Sequence, residues 1–204
     1  LPTFVLFQLS VGMVIAWLPF FVQEVLQKEN EGAFTSVLTG VSLVAMLISA
    51  YVMWQLGKSK GKRWVYSISL LGSAVIMPLL IFAGFLPGIP KLVQGGMMSF
   101  LVGLPMAGVF LLPKAITADI TDYDELRTGV RREGMFYAIQ NLFEKVGSSF
   151  APLVLAVVLL LGETSDDPLG IRLVGPVAGV FAFLGFWLFR AYSLPSTVTL
   201  ETVR

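Results

Sequence analysis

Apolar residues fall along this chain in six long runs separated by short polar stretches. The runs lie at about Phe4 to Val25, Phe34 to Leu56, Trp64 to Leu86, Leu92 to Pro113, Met135 to Leu161 and Leu173 to Tyr192. A run of roughly 20 apolar residues crosses the hydrocarbon core as a helix, because the helix satisfies all of its backbone polar groups internally. The pattern therefore predicts an all-α membrane protein, residues 1–204 forming a single domain of six transmembrane helices.

Composition agrees. Hydrophobic residues make up 56% of the chain and charged residues only 13%, with a mean hydropathy of +0.82. Such a balance suits lipid as the main solvent. The chain has no cysteine and no histidine, which removes disulfides, the usual zinc sites and imidazole acid-base chemistry. A net charge of +1 argues against nucleic acid as a partner, since that needs a basic field. The opening Leu1-Pro2-Thr3-Phe4 has no basic n-region or small-residue cleavage site, so the first run does not read as a signal peptide and the chain reads as part of a longer one.

Lysine and arginine mark the orientation. Lys58, Lys60, Lys62, Arg63, Lys114, Arg127, Arg131, Arg132, Arg190 and Arg204 fall on one side of the predicted membrane, against Lys28, Lys91 and Arg172 on the other. Cytoplasmic loops carry the excess, which predicts cytoplasmic termini in a plasma, or inner, membrane. Six helices with both ends on one side divide into two triplets of opposite orientation, the plan of an inverted repeat. No sequence repeat supports that division. Pro19, Pro78, Gly103, Pro105, Gly108, Gly147 and Pro152 interrupt the runs, either as kinks beside a cavity or as ordinary packing of tilted helices.

Charge concentrates after the fourth run, where eight charged residues occur in the fifteen from Asp119 to Glu133. Acids set among arginines suggest ion pairs that hold helix ends together, the alternative being a solvated loop. Lys145 lies about eleven residues into a helix starting near Gly134, which at about 1.5 Å per residue is close to the bilayer midplane. A central lysine costs at least about 2.5 kcal/mol on insertion scales, so it faces the protein interior or a watery cavity and needs a partner. Helical spacing sets Tyr137, Asn141, Lys145 and Ser148 on one face, with Gln140 and Glu144 on a neighbouring stripe. Glu144, adjacent to Lys145, pairs with it poorly on one helix; an acid from elsewhere fits better. Gln140 is equally readable as interhelical hydrogen-bonding glue. The basic loop from Gly57 to Arg63 reads as an orientation signal and tight hinge. Trp17 and Phe110 are aromatic residues on which a sugar or lipid tail would stack, or ordinary packing residues.

From Asp119 to Phe150 the sequence resembles the glycoside-pentoside-hexuronide:cation symporters of the major facilitator superfamily, the family of melibiose permease-like transporters. The shared elements are Ala118-Asp119, Asp122-Tyr123, Glu125, Arg127, Arg131, Glu133, Tyr137, Gln140, Lys145 and Gly147-Ser148, all without a gap. The resemblance implies a twelve-helix symporter of which this chain is the C-terminal six-helix half, working by alternating access against an N-terminal half. It implies no cofactor, only a coupling cation, sodium or proton. Lys145 matches the family's intramembrane lysine near the cation and sugar sites, Gln140 and Asn141 match neighbouring cavity positions, and Phe110 matches a place where a cavity aromatic occurs. Asp119, Asp122, Arg131 and Glu133, with Glu125, match the network that closes the cytoplasmic gate. The family's cation-binding acids belong to the first half. Asp124 and Arg132 add charge to the pattern, and Thr128-Gly129-x-Arg-Arg-Glu-Gly is similar to relatives that include lysophospholipid carriers.

The expected function is cation-coupled symport of a sugar or glycoside, with a lysolipid or other amphiphile as the alternative substrate. Two other classes compete. One is an intramembrane hydrolase with Lys145 as base for Ser148 or Ser149; the other is a noncatalytic half-protein that assembles with partners.

Overall fold

The structure is a computed structural model that describes residues 2–26, 30–85, 87–162, 164 and 167–191. Six helices long and apolar enough to cross a membrane are present among them. They are α1 (Pro2–Phe20), α2 (Glu31–Lys60), α3 (Lys62–Leu79), α4 (Lys91–Thr128), α5 (Glu133–Leu159) and α6 (Leu169–Phe189). Of the expected features, Lys28, Arg204 and the helix ends at Leu86 and Tyr192 lie outside the described residues.

The helix interruptions act locally. Two residues after Pro19 the chain widens from α1 into a π-helical turn, Phe21–Val25, the kind of break that follows loss of a backbone donor. After Pro78, α3 tightens into a short 3-10 turn, Leu80–Phe82. By contrast, α4 runs through Pro105 and Pro113 to Thr128. The fourth run was expected to end at Pro113 and be followed by a loop; the helix instead continues through the charged segment. At 38 residues it is about 57 Å long and outreaches a hydrocarbon core of about 30 Å, so its charged last turns stand beyond the apolar layer. Gly129, in the left-handed conformation at φ 72°, caps it through its N–H to the Glu125 carbonyl at 2.8 Å.

The helices pack as an inverted repeat. The main contacts are α2 with α4, α1 with α5, α3 with α6, α1 with α6 and α3 with α4. Exchanging α1 with α4, α2 with α5 and α3 with α6 maps this set onto itself, as a pseudo-two-fold axis between the triplets α1–α3 and α4–α6 requires. Small residues close the equivalent seams. A Cβ at Gly103 of α4 would strike the Ser42 carbonyl of α2, and a Cβ at Gly12 of α1 would strike Ala151 of α5. Hydroxyls supply the hydrogen bonds: Ser42 donates to the Ser99 carbonyl at 3.0 Å across α2 and α4, and Ser10 donates to the Ala178 carbonyl at 2.6 Å across α1 and α6. In lipid there is little hydrophobic gain from helix association, so close backbone approach and such bonds hold the bundle. The core centres on α1 and the turn after it, where Phe7, Met13, Trp17 and Val22 are buried.

Basic side chains collect at one end of the bundle, where α3 begins and α4 and α6 finish. There Lys62 reaches Asp119, and Arg63 donates to the Arg190 carbonyl at 3.4 Å. At the opposite end Arg172 donates to the carbonyls of Ile81 and Ala83 at 3.1 and 3.3 Å and lies over the Phe85 ring. Gln94 closes the same turn, accepting from the Gly84 N–H and donating to the Ile89 carbonyl, both at 2.8 Å.

Candidate functional site: the open face of α5 and the charged end of α4

Lys145 stands beside the midpoint of α5, a 27-residue helix, and its side chain is exposed in this bundle together with Asn141 and Ser148. It makes no ion pair among the described residues, Glu144 included. Ser148 donates to the carbonyls of Glu144 and Lys145 at 3.0 and 3.1 Å, so its hydroxyl proton is turned back into its own helix. Tyr137, half-buried at the basic end of the stripe, donates to the Lys114 carbonyl on α4 at 3.2 Å.

Gln140 departs from the expected grouping. It is buried, 4% exposed, on the face it shares with Gly147 and Ala151, which packs against α1. Five residues from Lys145, it points about 140° away around the helix. Its Oε1 has no hydrogen-bond partner, and it borders a cavity of about 310 Å³ inside the basic end, with Tyr66, Thr117 and Phe189. Gln140 and Lys145 therefore face different compartments. Trp17 is 2% exposed, donates to the Ile171 carbonyl at 2.7 Å and stacks on Phe21 at 4.6 Å, and it also lines the cavity between α1, α2 and α4. Phe110 is half-buried, edge-on to Phe7 at 6.5 Å.

The charged segment resolves into three ion-pair groups. Arg131 bridges Glu125, at the end of α4, and Glu133, at the start of α5, at 3.0 Å each. The hydrogen bond that Arg131 donates to Glu133 and the charges of Glu133, Glu125 and Asp122 raise the Arg131 pKa above its ordinary value. Arg132 grips Asp124 with two parallel bonds of 2.8 and 3.0 Å, the fork geometry that favours arginine over lysine. Asp119 pairs with Lys62 of α3 at 2.7 Å. Asp122 is exposed and contributes only through its field. Sequence reasoning left out Lys62, Asp124 and Arg132 as members of this network. The Arg132 pairing was legible as an acid eight residues upstream across a helix end; the Lys62 pairing joins positions 57 residues apart and was not.

An inverted-repeat bundle of six transmembrane helices, with a polar stripe on an uncovered helix and ion pairs bracing one end, defines half of a major-facilitator fold. The family model for MFS/sugar transport proteins matches residues 1–196, and the chain belongs to that family. An uncharacterized symporter of the cyanobacterium Synechocystis sp. is 32% identical over 156 residues, covering 73% of this chain and 25% of the symporter. The isoprimeverose transporter of Lactiplantibacillus pentosus is 25% identical over 134 residues, 65% of this chain and 27% of the transporter. The chain thus spans about a quarter of the length of these curated relatives. No solved structure matches significantly. These relatives are transporters, and the chain groups with them rather than with enzymes.

Proposed function

We propose that this chain is the second six-helix half of a melibiose permease-like, cation-coupled sugar symporter of an inner or plasma membrane, with both of its ends cytoplasmic. The observation that carries the reading is Lys145: a cation at mid-helix, on a face of α5 that nothing in this bundle covers, without an acid opposite it. A lysine held there needs a counter-charge, and the preceding half, packed on that face, would bring it. A coupling cation, sodium or proton, arriving at that acid would free Lys145 to hydrogen-bond a sugar hydroxyl beside Asn141 and Tyr137. Coupling then follows because loaded and empty states differ in which charges are paired. The ion pairs of Arg131, Arg132 and Lys62 brace the basic end, where they would break and re-form as that gate opens and closes.

The apolar walls of a second cavity, between α1, α2 and α4, support one other reading, transport of a lysolipid or similar amphiphile. Uptake into vesicles containing the full-length protein separates the two. Sugar symport predicts that labelled glycosides accumulate when a sodium or proton gradient is imposed, and that Lys145→Ala abolishes the accumulation while leaving the protein folded. Uptake of labelled lysophospholipid with none of any glycoside would replace the first reading with the second.

A further inference from the structure

Glu144 and Lys145 are the only charged residues of α5 beyond its first, Glu133. Glu144 is half-buried near the middle of the helix, and its carboxylate makes no ion pair and no hydrogen bond among the described residues. A charge at that depth is costly without a partner, and binding a proton is one way to remove it. The helices packed against α5 bring no opposite charge to its level. On α1 there is no titratable residue. On α4 titratable residues stand at Lys91, the first position, and from Lys114 onward; on α6 there is only Arg172, in the first turn. Within α5 itself the others are Glu133, Tyr137 and the adjacent Lys145.

Amides stand beside Glu144 instead. Gln140 precedes it by four residues, so the two side chains share one stripe of α5 and come within reach of each other. Gln140 is 4% exposed and its Oε1 accepts from nothing. Gln8 of α1 is buried too, with its Cβ 2.9 Å from where a Cβ at Gly147, three residues past Glu144, would stand. A second amide therefore lies on the same seam. A carboxylate has no proton to give the Gln140 oxygen, whereas a protonated carboxyl does. Gln140 also lines the 310 Å³ cavity at the basic end, together with Thr117 and Tyr66. One turn, about 6 Å over four residues, thus separates Glu144 from a residue on the wall of that cavity.

Resting on the symport reading above, we infer that Glu144 is a proton-binding site of this half: its carboxylate takes up one proton during the cycle, donates it in a hydrogen bond to Gln140 Oε1, and releases it toward the cavity at the basic end. The coupling ion is then a proton. With Glu144 ionised, its charge and that of Lys145 sum to zero. Once Glu144 is neutral, Lys145 is left as an unbalanced cation, which sugar oxygens or an acid of the first half must meet. Proton binding and substrate binding are linked through that change of partner, since a ligand shifts an equilibrium only by interacting differently with its two states.

The test uses the full-length protein in vesicles, with a panel of labelled glycosides as probes. Wild type should accumulate the recognised glycoside when a proton gradient is imposed without sodium. Glu144→Gln, permanently neutral and close in shape, should fall to the level reached without a gradient. It should still exchange glycoside at the wild-type rate with equal pH on both sides, because exchange needs only the loaded carrier. Proton-driven accumulation that survives in Glu144→Gln overturns the site, and so does loss of exchange together with accumulation, which marks a structural residue. Accumulation driven by sodium alone overturns it while leaving sugar symport standing. If no glycoside moves under any gradient, the symport reading falls and takes this inference with it. A second readout needs no variant. Dicyclohexylcarbodiimide, which reacts with protonated carboxyls in apolar surroundings, should label wild-type Glu144 more in acid than in alkaline buffer, as read by peptide mass; equal or absent labelling in the two buffers overturns the proposal.

Discussion

Lys62, the first residue of α3, holds both carboxylate oxygens of Asp119 on α4, at 2.7 and 2.9 Å. This pair links the two helical triplets of the inverted repeat, since α3 belongs to one and α4 to the other. Its side chains are 42% and 32% exposed, so water screens it, and its contribution to folding stability is about 0.2–1 kcal/mol. Its consequence lies in which helix ends move together. Asp119→Lys, which sets two cations against each other, should lower transport with little change in melting temperature, and the exchanged pair Lys62→Asp with Asp119→Lys should restore most of it. Initial uptake rates of the two variants beside wild type check this; equal loss in both would mean that position, rather than charge pairing, matters.

Gly103 and Gly96 lie two turns apart on α4 and should behave oppositely. A Cβ at Gly103 would overlap the Ser42 carbonyl and Ala45, whereas Gly96 has nothing within 4 Å. Overlap with backbone cannot be relieved by a rotamer change, so Gly103→Val is expected to destabilise by about 1–3 kcal/mol or more. Gly96→Ala should be neutral or mildly stabilising, because alanine loses less entropy in a helix. Thermal unfolding of the purified variants in one detergent reads the difference directly.

Trp17 makes one hydrogen bond that a phenylalanine cannot. Trp17→Phe keeps the aromatic contact with Phe21 but removes the indole N–H that the Ile171 carbonyl accepts at 2.7 Å. The carbonyl keeps its backbone bond within α6, so the loss is that of one hydrogen bond, about 0.5–1.5 kcal/mol. The variant should melt measurably lower than wild type in thermal unfolding of the purified protein.

Gln140 should respond in the reverse sense. Its buried Oε1 already lacks a partner, so Gln140→Leu, close in volume, removes an unsatisfied polar atom instead of creating one, and stability should hold or rise. Gln140→Ala, which deletes volume beside the 310 Å³ cavity, should destabilise by about 2 kcal/mol or more as larger core truncations do. A leucine variant that melts as low as the alanine variant would show that the amide itself is engaged.

Much of this protein was readable from one dimension. The apolar runs fixed the number of helices, since each run alone satisfies its backbone in lipid, and the crowded charges from Asp119 to Glu133 announced the arginine clamps because their partners sit within eight residues of one another. The continuation of α4 past Pro113 was hidden, because a charged stretch after a proline has the composition of a loop while its backbone is free to stay helical once it leaves the membrane. Which face each α5 residue takes was decided only by packing: Gly147 and Ala151 draw one side of the helix onto α1, which buries Gln140 and leaves Asn141 and Lys145 uncovered. The pairing of Lys62 with Asp119, the two-fold order of the helices and the chamber between α1, α2 and α4 likewise belong to tertiary structure, because each depends on groups brought together across several helices, and sequence spacing carries no information about that distance.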